Sequence, residues 1–376
     1  MWPVLTKIFK YLGIAIACLV VAAISSALLY RKYLQHKVAV ERAIRSANGI
    51  ESLAAARIGG IDQWISVRGE DVNNPILLFI HGGPGIPFIP LAGSFQRPWE
   101  KYFTVVQWDQ RGAGKTYTSS SADVQRRTMN VPQMEQDAVD VANYLRSRFH
   151  REKIFVVGHS WGSILGLWLA HEHPDLIYAY VGTGQVVNME QNEKAAYQDA
   201  LQEANARHDE QAIFALESIA PYPPASPNFE VTGIEHNWAE RLLGLPPGSR
   251  NFTDVKRLLT DVVSAPEYSL ADDYSFIHTQ TSLFSINILL PELMRVDLGK
   301  LGPEFGTAIF FFEGRHDPYC RPQLVWDYAQ TIKAPAKEFV WFEDSGHFPF
   351  FEEQQTFTDE LVERVRPLAT VHRAGN

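Results

Sequence analysis

The sequence predicts an α/β protein: a mostly parallel β-sheet with helices on both faces, a helical lid insertion, and an N-terminal transmembrane helix in front of them. Three patterns lead to this prediction. Apolar runs of strand length alternate with segments of helical periodicity, one long stretch of helical segments interrupts that alternation, and the chain starts with an uncharged apolar segment. Continuous apolar runs are typical of parallel strands that are buried on both faces.

The apolar N-terminal segment runs from Tyr11 to Tyr30 and contains twenty residues without a charge. As a helix it would be about 30 Å long, enough to cross the hydrocarbon core of a membrane. A basic start and small residues at 25–27 would also suit a cleaved signal sequence, but the apolar run exceeds the roughly 7–15 residues of a signal core. We therefore expect residues 1–30 to form a single-pass membrane anchor, with a signal sequence as the alternative.

The residues that follow, 31–52, are expected to form a juxtamembrane stalk near anionic lipid headgroups. Two lysines precede the apolar segment and five basic residues follow it: Arg31, Lys32, Lys37, Arg42 and Arg45. By the positive-inside rule this excess slightly favours a cytoplasmic position for the large domain, and the side of the membrane stays open.

Six apolar runs of strand length lie beyond the stalk, at 75–80, 102–108, 153–158, 177–182, 307–314 and 337–343. Apolar residues with helical spacing lie between them, at 131–149, 161–173 and 322–332. The stretch 185–300 instead contains helical segments and proline-rich breaks, and we interpret it as a lid over the carboxyl edge of the sheet, where open α/β sheets bind ligands. The predicted core therefore has two parts, 53–184 and 301–376.

Composition excludes several classes of protein. Of the 376 residues, 46% are hydrophobic and 20% charged, which predicts a folded chain with a sizeable core. The formal net charge of −9 offers no surface for phosphate backbones, so nucleic acid is not an expected partner. Cys18 and Cys320 are the two cysteines, and the first lies in the apolar segment, so neither a disulfide framework nor a cysteine-based metal site is expected. We expect no metal and no cofactor.

Gly158, His159, Ser160, Trp161 and Gly162 form the pattern G-x-S-x-G directly after one strand and directly before a helix. In this context the serine is a candidate nucleophile, because the sharp turn between strand and helix lifts its hydroxyl above the sheet. The flanking glycines are needed because neighbouring side chains would clash in such a turn. The structural alternative is a serine that only starts the helix.

The string HGGPG, at 81–85, follows the first predicted strand of the sheet. Acyl transfer needs two N–H donors that face the developing oxyanion, and a loop rich in glycine can supply one of them. We assign these donors to Trp161 and Gly83, with Gly82 as the alternative to Gly83. His81 is expected to brace the loop.

The acid and base that activate such a serine should follow it along the chain, in the order acid and then histidine. Asp317 follows the strand at 307–314, and His347 follows the strand at 337–343. Asp344 is the rival acid, but it follows no strand of its own. Two other histidines are less suitable, because one adjoins Asp317 in sequence and the other lies in the polar C-terminal tail: His316 and His372.

A further string, WDQRGAGKT at 108–116, resembles the end of a phosphate-binding loop. The first glycine of that motif would fall at Asp109, so no nucleotide loop is expected. Asp109 and Arg111 are expected to brace the loops around the site.

Together, HGGPG, WDQRGAGKT, GHSWGS (158–163), GRHDP (314–318) and DSGH (344–347) resemble the α/β-hydrolase fold family, specifically its prolyl iminopeptidase-like branch. The resemblance extends from about Ile61 to the C-terminus. It implies Ser160 as nucleophile, Asp317 as acid and His347 as base. It also implies lid carboxylates that hold the ammonium group of the substrate, for which three residues are candidates although acidic residues on lid helices are usually solvated: Glu190, Glu193 and Glu217. The membrane anchor is not part of the usual soluble enzyme.

The predicted function is that of a membrane-anchored serine hydrolase that cleaves an amide or ester in a small-molecule or short-peptide substrate. The resemblance favours release of an N-terminal proline or another small residue. A carboxylesterase or a lactonase would use the same residues. The alternative from another class is a non-catalytic ligand-binding protein with the same fold.

Overall fold

The sheet lies at the centre of the computed structural model, which describes residues 2–246 and 248–371. Within these residues it has eight strands, in the spatial order β1-β2-β4-β3-β5-β6-β7-β8. The strands are β1 (Ile50–Ile58), β2 (Ile61–Gly69), β3 (Ile76–Ile80), β4 (Thr104–Asp109), β5 (Ile154–His159), β6 (Ile177–Thr183), β7 (Ala308–Gly314) and β8 (Lys337–Phe342). β1 and β2 pair antiparallel, as do β2 and β4, and every other pair is parallel.

Helices connect and cover the strands. They are α1 (Trp2–Arg42), α2 (Gly114–Ser119), α3 (Ala122–Thr128), α4 (Val131–Phe149), α5 (Trp161–Glu172), α6 (Met189–Arg207), α7 (Glu210–Glu217), α8 (Phe229–Leu243), α9 (Val255–Ser264), α10 (Leu270–Ile277), α11 (Gln280–Leu293), α12 (Pro322–Thr331), α13 (Pro349–Glu352), α14 (Gln354–Glu360) and α15 (Leu368–Val371). A short π-helical turn, Leu361–Val365, follows α14.

The prediction of a mostly parallel sheet buried on both faces is confirmed. All six predicted strand runs coincide with β3 to β8, although β4 starts two residues later than predicted. The side chains of β3 alternate between two hydrophobic cores: Ile76, Leu78 and Ile80 belong to one, Leu77 and Phe79 to the other. Such alternation places apolar residues on both faces of the strand.

The antiparallel hairpin of β1 and β2 was not among the predicted strands. Its turn consists of Gly59 and Gly60, which have positive φ angles of 52° and 80°. Two glycines in this conformation form the tight turn that suits the twist of a hairpin. The Gly-Gly pair was therefore the signal in the sequence that could have identified these two strands.

The apolar N-terminal segment lies in one continuous helix, α1, of 41 residues. The part from Leu5 to Arg42 is long and apolar enough to cross a membrane, and its most hydropathic window is not buried against the rest of the chain. A helix of this kind is also compatible with a signal sequence. The helix continues without a break across the predicted boundary between anchor and stalk at residue 30, and the predicted domain boundaries remain predictions.

Two side chains near the C-terminal end of α1 are buried against the rest of the protein. The Arg31 guanidinium is 2.6 Å from a carboxylate oxygen of Asp273 and donates to the backbone oxygen of Tyr268 at 2.9 Å. The Gln35 amide donates to the backbone oxygen of Ala265 at 2.7 Å. The start of the predicted stalk is therefore fixed to the segment that joins α9 to α10.

The segment between β6 and β7 is helical, as predicted for the lid, and its helices form two groups. The first group, α6 to α8, has a hydrophobic core of its own, lined by Tyr197, Ala200, Ala204, Ala212, Leu216, Ile219, Tyr222, Ala239 and Leu242. In the second group, α9 packs against α1, α10 packs against α2, and α11 packs against α4.

A buried ion pair ties the loop after β4 to α4. The side chains of Arg111 and Asp137 are both inaccessible to solvent, and Arg111 Nε lies 3.0 Å from Asp137 Oδ2. Arg111 also donates to the backbone oxygen of Gly59 at 2.8 Å, which holds the turn between β1 and β2. Gln63 and Gln133 donate to the Asp137 carboxylate at 2.8 Å each, so both of its oxygens have partners.

Replacing Asp137 by alanine should destabilise the fold. Asp137→Ala leaves Arg111 buried without its counter-charge, which should lower the free energy of unfolding by about 3–5 kcal/mol. Chemical denaturation of the full chain in detergent, followed by circular dichroism, measures this change. The control is Asp123→Ala, at an exposed position in the first turn of α3, where the loss should stay below about 1 kcal/mol. Equal small losses in both variants would contradict the importance of the pair.

Candidate active site

Ser160 is the single residue between the end of β5 and the start of α5. Its backbone has φ 53° and ψ −122°, an angle pair that non-glycine residues rarely adopt. A Cβ on Gly158 would lie 2.7 Å from the Gly162 oxygen, and a Cβ on Gly162 would lie 2.0 Å from the Ile80 oxygen. Both flanking glycines are therefore required by close packing, as the sequence pattern predicted.

The HGGPG loop lies directly against this turn. A Cβ on Gly82 would lie 2.9 Å from the Ser160 Cβ, and Gly83 has a φ of 119°. The Nδ1 atom of His81 is 2.8 Å from the Gly82 oxygen. Burial lowers the pKa of His81 to about 4, so this imidazole is neutral and donates a hydrogen bond from Nδ1. His81 therefore braces the loop, as expected from the sequence.

Gln110 connects the two segments that contain the candidate oxyanion donors. Its amide group donates to the His81 backbone oxygen at 2.8 Å and accepts from the Trp161 indole N–H at 3.0 Å. Trp161 is the first residue of α5, where backbone N–H groups have no partner inside the helix. Within WDQRGAGKT, roles were predicted for Asp109 and Arg111, and the role of Gln110 was missed.

Asp317 and His347 meet at the carboxyl ends of β7 and β8. His347 Nδ1 is 2.7 Å from Asp317 Oδ2. The other oxygen of Asp317 accepts from the backbone N–H groups of Tyr319 and Cys320, at 2.8 Å each. The rejected alternatives lie elsewhere: Asp344 and His316 are exposed, and His372 falls outside the described residues.

Ser160 and His347 lie on the two sides of the turn that follows β6. The Ser160 N–H donates to the Thr183 oxygen at 3.1 Å. A Cβ on the next residue, Gly184, would lie 2.7 Å from Cε1 of His347. Only a glycine therefore lets the His347 ring approach the loop that also holds the Ser160 backbone.

Two residues that the sequence analysis did not assign hold the His347 loop in place. His159 Nε2 is 3.0 Å from the His347 backbone oxygen, and burial lowers the pKa of His159 well below its usual range. Glu352 accepts from the N–H groups of Gly346 at 2.8 Å and Phe348 at 3.2 Å, and burial raises its pKa to about 7. The His159 contact joins residues 188 positions apart, which local patterns do not reveal, whereas Glu352 lies close in sequence to the loop that it holds.

Cys320 lies beside the same residues. Its sulfur lies within 4.8 Å of ligand atoms of Asp317 and His347, and its thiol is hydrogen-bonded to Ser160. Burial raises the pKa of this thiol well above its usual range, so it stays protonated. Its position beside these residues was not predicted from the sequence.

A pair of buried carboxylates lies on the lid. Glu193 on α6 and Glu235 on α8 approach the same imidazole, with His236 Nε2 at 3.3 Å and 3.6 Å from their respective oxygens. Tyr222 donates its hydroxyl proton to Glu193. Neither oxygen of Glu235 has a hydrogen-bond partner within the described part of the chain.

The electrostatics of this cluster follow from burial and mutual proximity. Burial raises the pKa of Glu235 to about 8, partly offset by the charge of His236. Burial opposes the charge of His236, but the adjacent Glu193 and Glu235 outweigh it and raise its pKa to about 9. At neutral pH the cluster therefore contains a cationic imidazole and a protonated Glu235.

Of the three lid carboxylates suggested by the resemblance, Glu193 belongs to this cluster, whereas Glu190 and Glu217 are exposed. Glu235 was missed. The buried residues of α8 recur with helical spacing, at Thr232, Glu235, Ala239 and Leu242, so Glu235 occupies a core-facing position. An acidic residue in that register was the available signal.

One aromatic ring separates the lid cluster from His347. The Tyr319 ring centroid lies 5.3 Å from that of His236 and 5.1 Å from that of His347. Asn192 on α6 donates to the Tyr319 oxygen at 2.6 Å and accepts from the Arg321 N–H at 2.8 Å. The lid is therefore hydrogen-bonded to the segment that follows Asp317.

Little open space remains next to His347. A cavity of about 10 Å³ adjoins it, lined by Glu240, Leu245, Asn251, Pro318, Gly346, Phe348 and Glu352. This volume holds about one water molecule. A larger molecule does not fit in this cavity unless the residues that line it move.

Two groups of three side chains have potential metal-ligand atoms within 4.8 Å of one another: Asp317 with Cys320 and His347, and Glu193 with Glu235 and His236. In the first group the thiol is protonated and the other two residues bond to each other. In the second group His236 and Glu235 are protonated at neutral pH. A metal ion would have to displace these protons, which weakens its binding.

Known proteins are similar to this chain in sequence and in fold. A sequence profile described as the alpha/beta hydrolase fold matches residues 75–354. A Bacillus subtilis (strain 168) protein named "Probable aminopeptidase YbaC" is 33% identical over 313 residues, which cover 82% of this chain and 94% of that protein. A Leptolyngbya boryana protein named "Probable proline iminopeptidase" is 35% identical over 103 residues, 27% of this chain and 29% of that protein.

Among solved structures, that of proline iminopeptidase from Mycobacterium smegmatis aligns with a TM-score of 0.58 at 17% identity. The alignment covers 85% of this chain and 100% of that one, and at this identity it shows the fold alone. The profile match and the alignment with the Bacillus protein show the family as well as the fold, because each extends over most of the sequence. The chain belongs to the α/β hydrolase family and resembles the proline iminopeptidases within it, as its motifs predicted.

Proposed function

We propose that this protein is a membrane-anchored serine hydrolase that releases an N-terminal proline or another small residue from a short peptide. The observation that carries the proposal is the buried carboxylate of Glu235, which has no hydrogen-bond partner within the described residues and lies one aromatic ring from His347. Within the described residues Glu235 contacts a cation only through the 3.6 Å pair with His236, which Glu193 shares, so two carboxyl groups face one imidazolium and favour a further cationic ligand. The aminopeptidase and proline iminopeptidase names of the relatives support the same substrate class.

The proposed reaction begins at Ser160. His347 takes the hydroxyl proton while Ser160 attacks the carbonyl carbon of the first residue, and the same imidazole later gives the proton to the leaving amine. Asp317 accepts the Nδ1–H of His347 and stabilises the imidazolium that forms. Water then hydrolyses the acyl-enzyme by the same proton transfers in reverse.

The oxyanion that forms during each step would accept from two backbone N–H groups. We assign these to Trp161 and Gly83, with Gly82 as the alternative because its Cα packs against Ser160. One such donor is worth about 3 kcal/mol of transition-state stabilisation. Gln110 keeps the two segments together through its bonds to His81 and Trp161.

The substrate ammonium group would bind between Glu193 and Glu235. At neutral pH Glu235 holds a proton, because burial raises its pKa to about 8. An arriving cation favours the ionised carboxylate, so ammonium binding is coupled to loss of that proton. An uncharged substrate would gain nothing from this group.

The anchor would be α1, whose uncharged residues 11–30 form an exposed helix of sufficient length. This arrangement supports a single-pass membrane protein. The excess of basic residues after the span favours, to a small extent, a large domain on the cytoplasmic side.

The first expected outcome concerns the nucleophile. A fluorophosphonate probe should label the wild type and fail to label Ser160→Ala, and His347→Ala should lower kcat by about 10³-fold or more. The control is Ser218→Ala, an exposed serine at the end of α7, which should be labelled normally. Equal labelling of Ser160→Ala and the wild type would refute the assignment.

The second expected outcome concerns the ammonium site. Glu235→Gln should reduce kcat/KM for proline p-nitroanilide by about 10–100-fold, because a charge-assisted hydrogen bond worth about 1.5–3 kcal/mol is lost. The same variant should hydrolyse an uncharged p-nitrophenyl ester at nearly the wild-type rate. Glu217→Gln, at an exposed position, is the matched control and should leave both reactions unchanged. A wild type that hydrolyses esters or lactones and no free-amine anilide would be an esterase or lactonase instead.

The pH dependence provides a separate expected outcome. Below pH 8 Glu235 is protonated, so kcat/KM for the anilide relative to the ester should rise between pH 6 and pH 7.5. Taking the ratio removes the titration of His347, since both substrates use it. In Glu235→Gln this rise should disappear, and a ratio with the same slope in both proteins would exclude Glu235 as the group responsible.

A further inference from the structure

In the helix α10 the three polar residues are buried, and the apolar residues are exposed except Phe276, which packs against a hydrophobic core. Asp272, Asp273 and Ser275 are buried. Leu270, Tyr274 and Ile277 are 54%, 56% and 42% exposed. These three residues are four and three positions apart, so they form one stripe along the helix. A helix that faces water normally has the opposite arrangement.

Two buried ion pairs fix α10 in this orientation. Asp273 binds Arg31 of α1 at 2.6 Å, and Asp272 binds Lys115 of α2 at 3.1 Å. If α10 turned so that the apolar stripe faced inward, both ion pairs would break. Arg31 and Lys115 would then lose their counter-charges, which is costly in free energy for buried groups. The stripe therefore stays on the outside of the folded chain.

The chain segment that contains the end of the stripe has no formal charge. From Tyr274 to Pro291 the sequence contains no Asp, Glu, Lys or Arg. This stretch includes the end of α10, the exposed turn at His278 and Thr279, and most of α11. Part of this stretch is buried, including Thr281, Phe284 and Ser285, and its exposed residues at 277–280 have no formal charge.

The stripe lies beside the end of the apolar part of α1. Arg31 is the first residue after the uncharged run, and it bonds to Asp273, the residue directly before Tyr274. Tyr30 and Tyr33 are 63% and 61% exposed, and their rings stack at 6.4 Å. Tyrosines are enriched where a membrane meets water, so this turn of α1 marks the level of the interface.

We propose that the stripe of Leu270, Tyr274 and Ile277 docks on the lipid bilayer that α1 spans. The occupant is a lipid surface because the stripe is joined, through Arg31 and Asp273, to the end of a helix whose apolar window is wholly exposed. This inference rests on the membrane anchoring in the proposed function. It adds a second membrane contact, made by the lid itself.

Docking at this place would bring the bilayer close to the HGGPG loop. The helix after the turn, α11, covers that loop: a Cβ on Gly85 would lie 2.5 Å from the Thr281 oxygen. Ser285 of α11 donates to the Gly112 oxygen at 3.0 Å. The helix that covers the HGGPG loop, α11, therefore directly follows the proposed docking face on α10.

The test uses the full chain in phosphatidylcholine and phosphatidylglycerol vesicles, with an environment-sensitive NBD label on Ile277→Cys. Cys18→Ser removes the exposed native thiol, and Cys320 is buried and protonated, so it does not react. Phe214→Cys on α7 is the matched control, since Phe214 is an apolar lid residue that is 78% exposed. In the described part of the chain, the main packing partners of α7 are α6 and α8, which lie away from α10 in sequence.

The label at residue 277 should be quenched by lipids that have spin labels near the headgroup, and iodide in water should quench it several-fold less than the label at 214. Quenching by iodide to the same extent at both positions overturns the proposal. Protection from iodide without quenching by spin-labelled lipid also overturns it, because a second protein surface would then cover the stripe.

A carbonate wash of the same membranes separates this inference from the proposed function. Protein that resists the wash and cleaves proline p-nitroanilide, but has a water-exposed label at 277, would leave the anchored hydrolase intact and refute the lid contact alone. Protein that the wash releases would refute the anchor, and the docking proposal with it.

Discussion

The reversal of the chain at Ser160 is the constraint on which the arrangement of the site depends. One residue with a positive φ has to connect a central strand to a helix, and such a backbone costs about 1–3 kcal/mol. The burial of β5 between β3 and β6, and of most of α5, holds the turn in that conformation. Because Gly162 lets α5 approach the Ile80 oxygen, the same packing brings the HGGPG loop against Ser160.

Backbone groups do much of the positioning around this turn. The Asp317 carboxylate accepts from two backbone N–H groups, and the Ser160 N–H donates to the Thr183 oxygen. In the His347 loop, the His347 backbone oxygen bonds to His159, and the Gly346 N–H donates to Glu352. Burial keeps His81 and His159 neutral, so neither competes with His347 for a proton. These two imidazoles therefore help to position the candidate base without adding positive charge next to it.

The sequence predicted the parts of the molecule that have a local signal. Each parallel strand is a continuous apolar run, and Ser160, Asp317 and His347 each follow such a run, so the sheet places them at one edge. Gln110 and Arg31 have no comparable signal, because their roles depend on partners far away in sequence, and the signal for Glu235 was only its core-facing position on α8. Arg31 is an example: next to an apolar helix it suggests a headgroup contact, whereas its carboxylate partner lies 242 residues further along the chain.

Because α6 to α8 have a hydrophobic core of their own, this part of the lid would keep its shape if it moved away from the sheet. Its seam with the segment after Asp317 consists of polar contacts, such as those of Asn192 and the 2.7 Å pair between Asp199 and Arg321. Hydrogen bonds to water can replace such contacts with a small loss of free energy, whereas exposing an apolar core to water costs much more. Substitutions that alter the carboxylate-bearing face of this unit can therefore accumulate without refolding the enzyme, so substrate preference can diverge while the chemistry at the sheet edge stays the same.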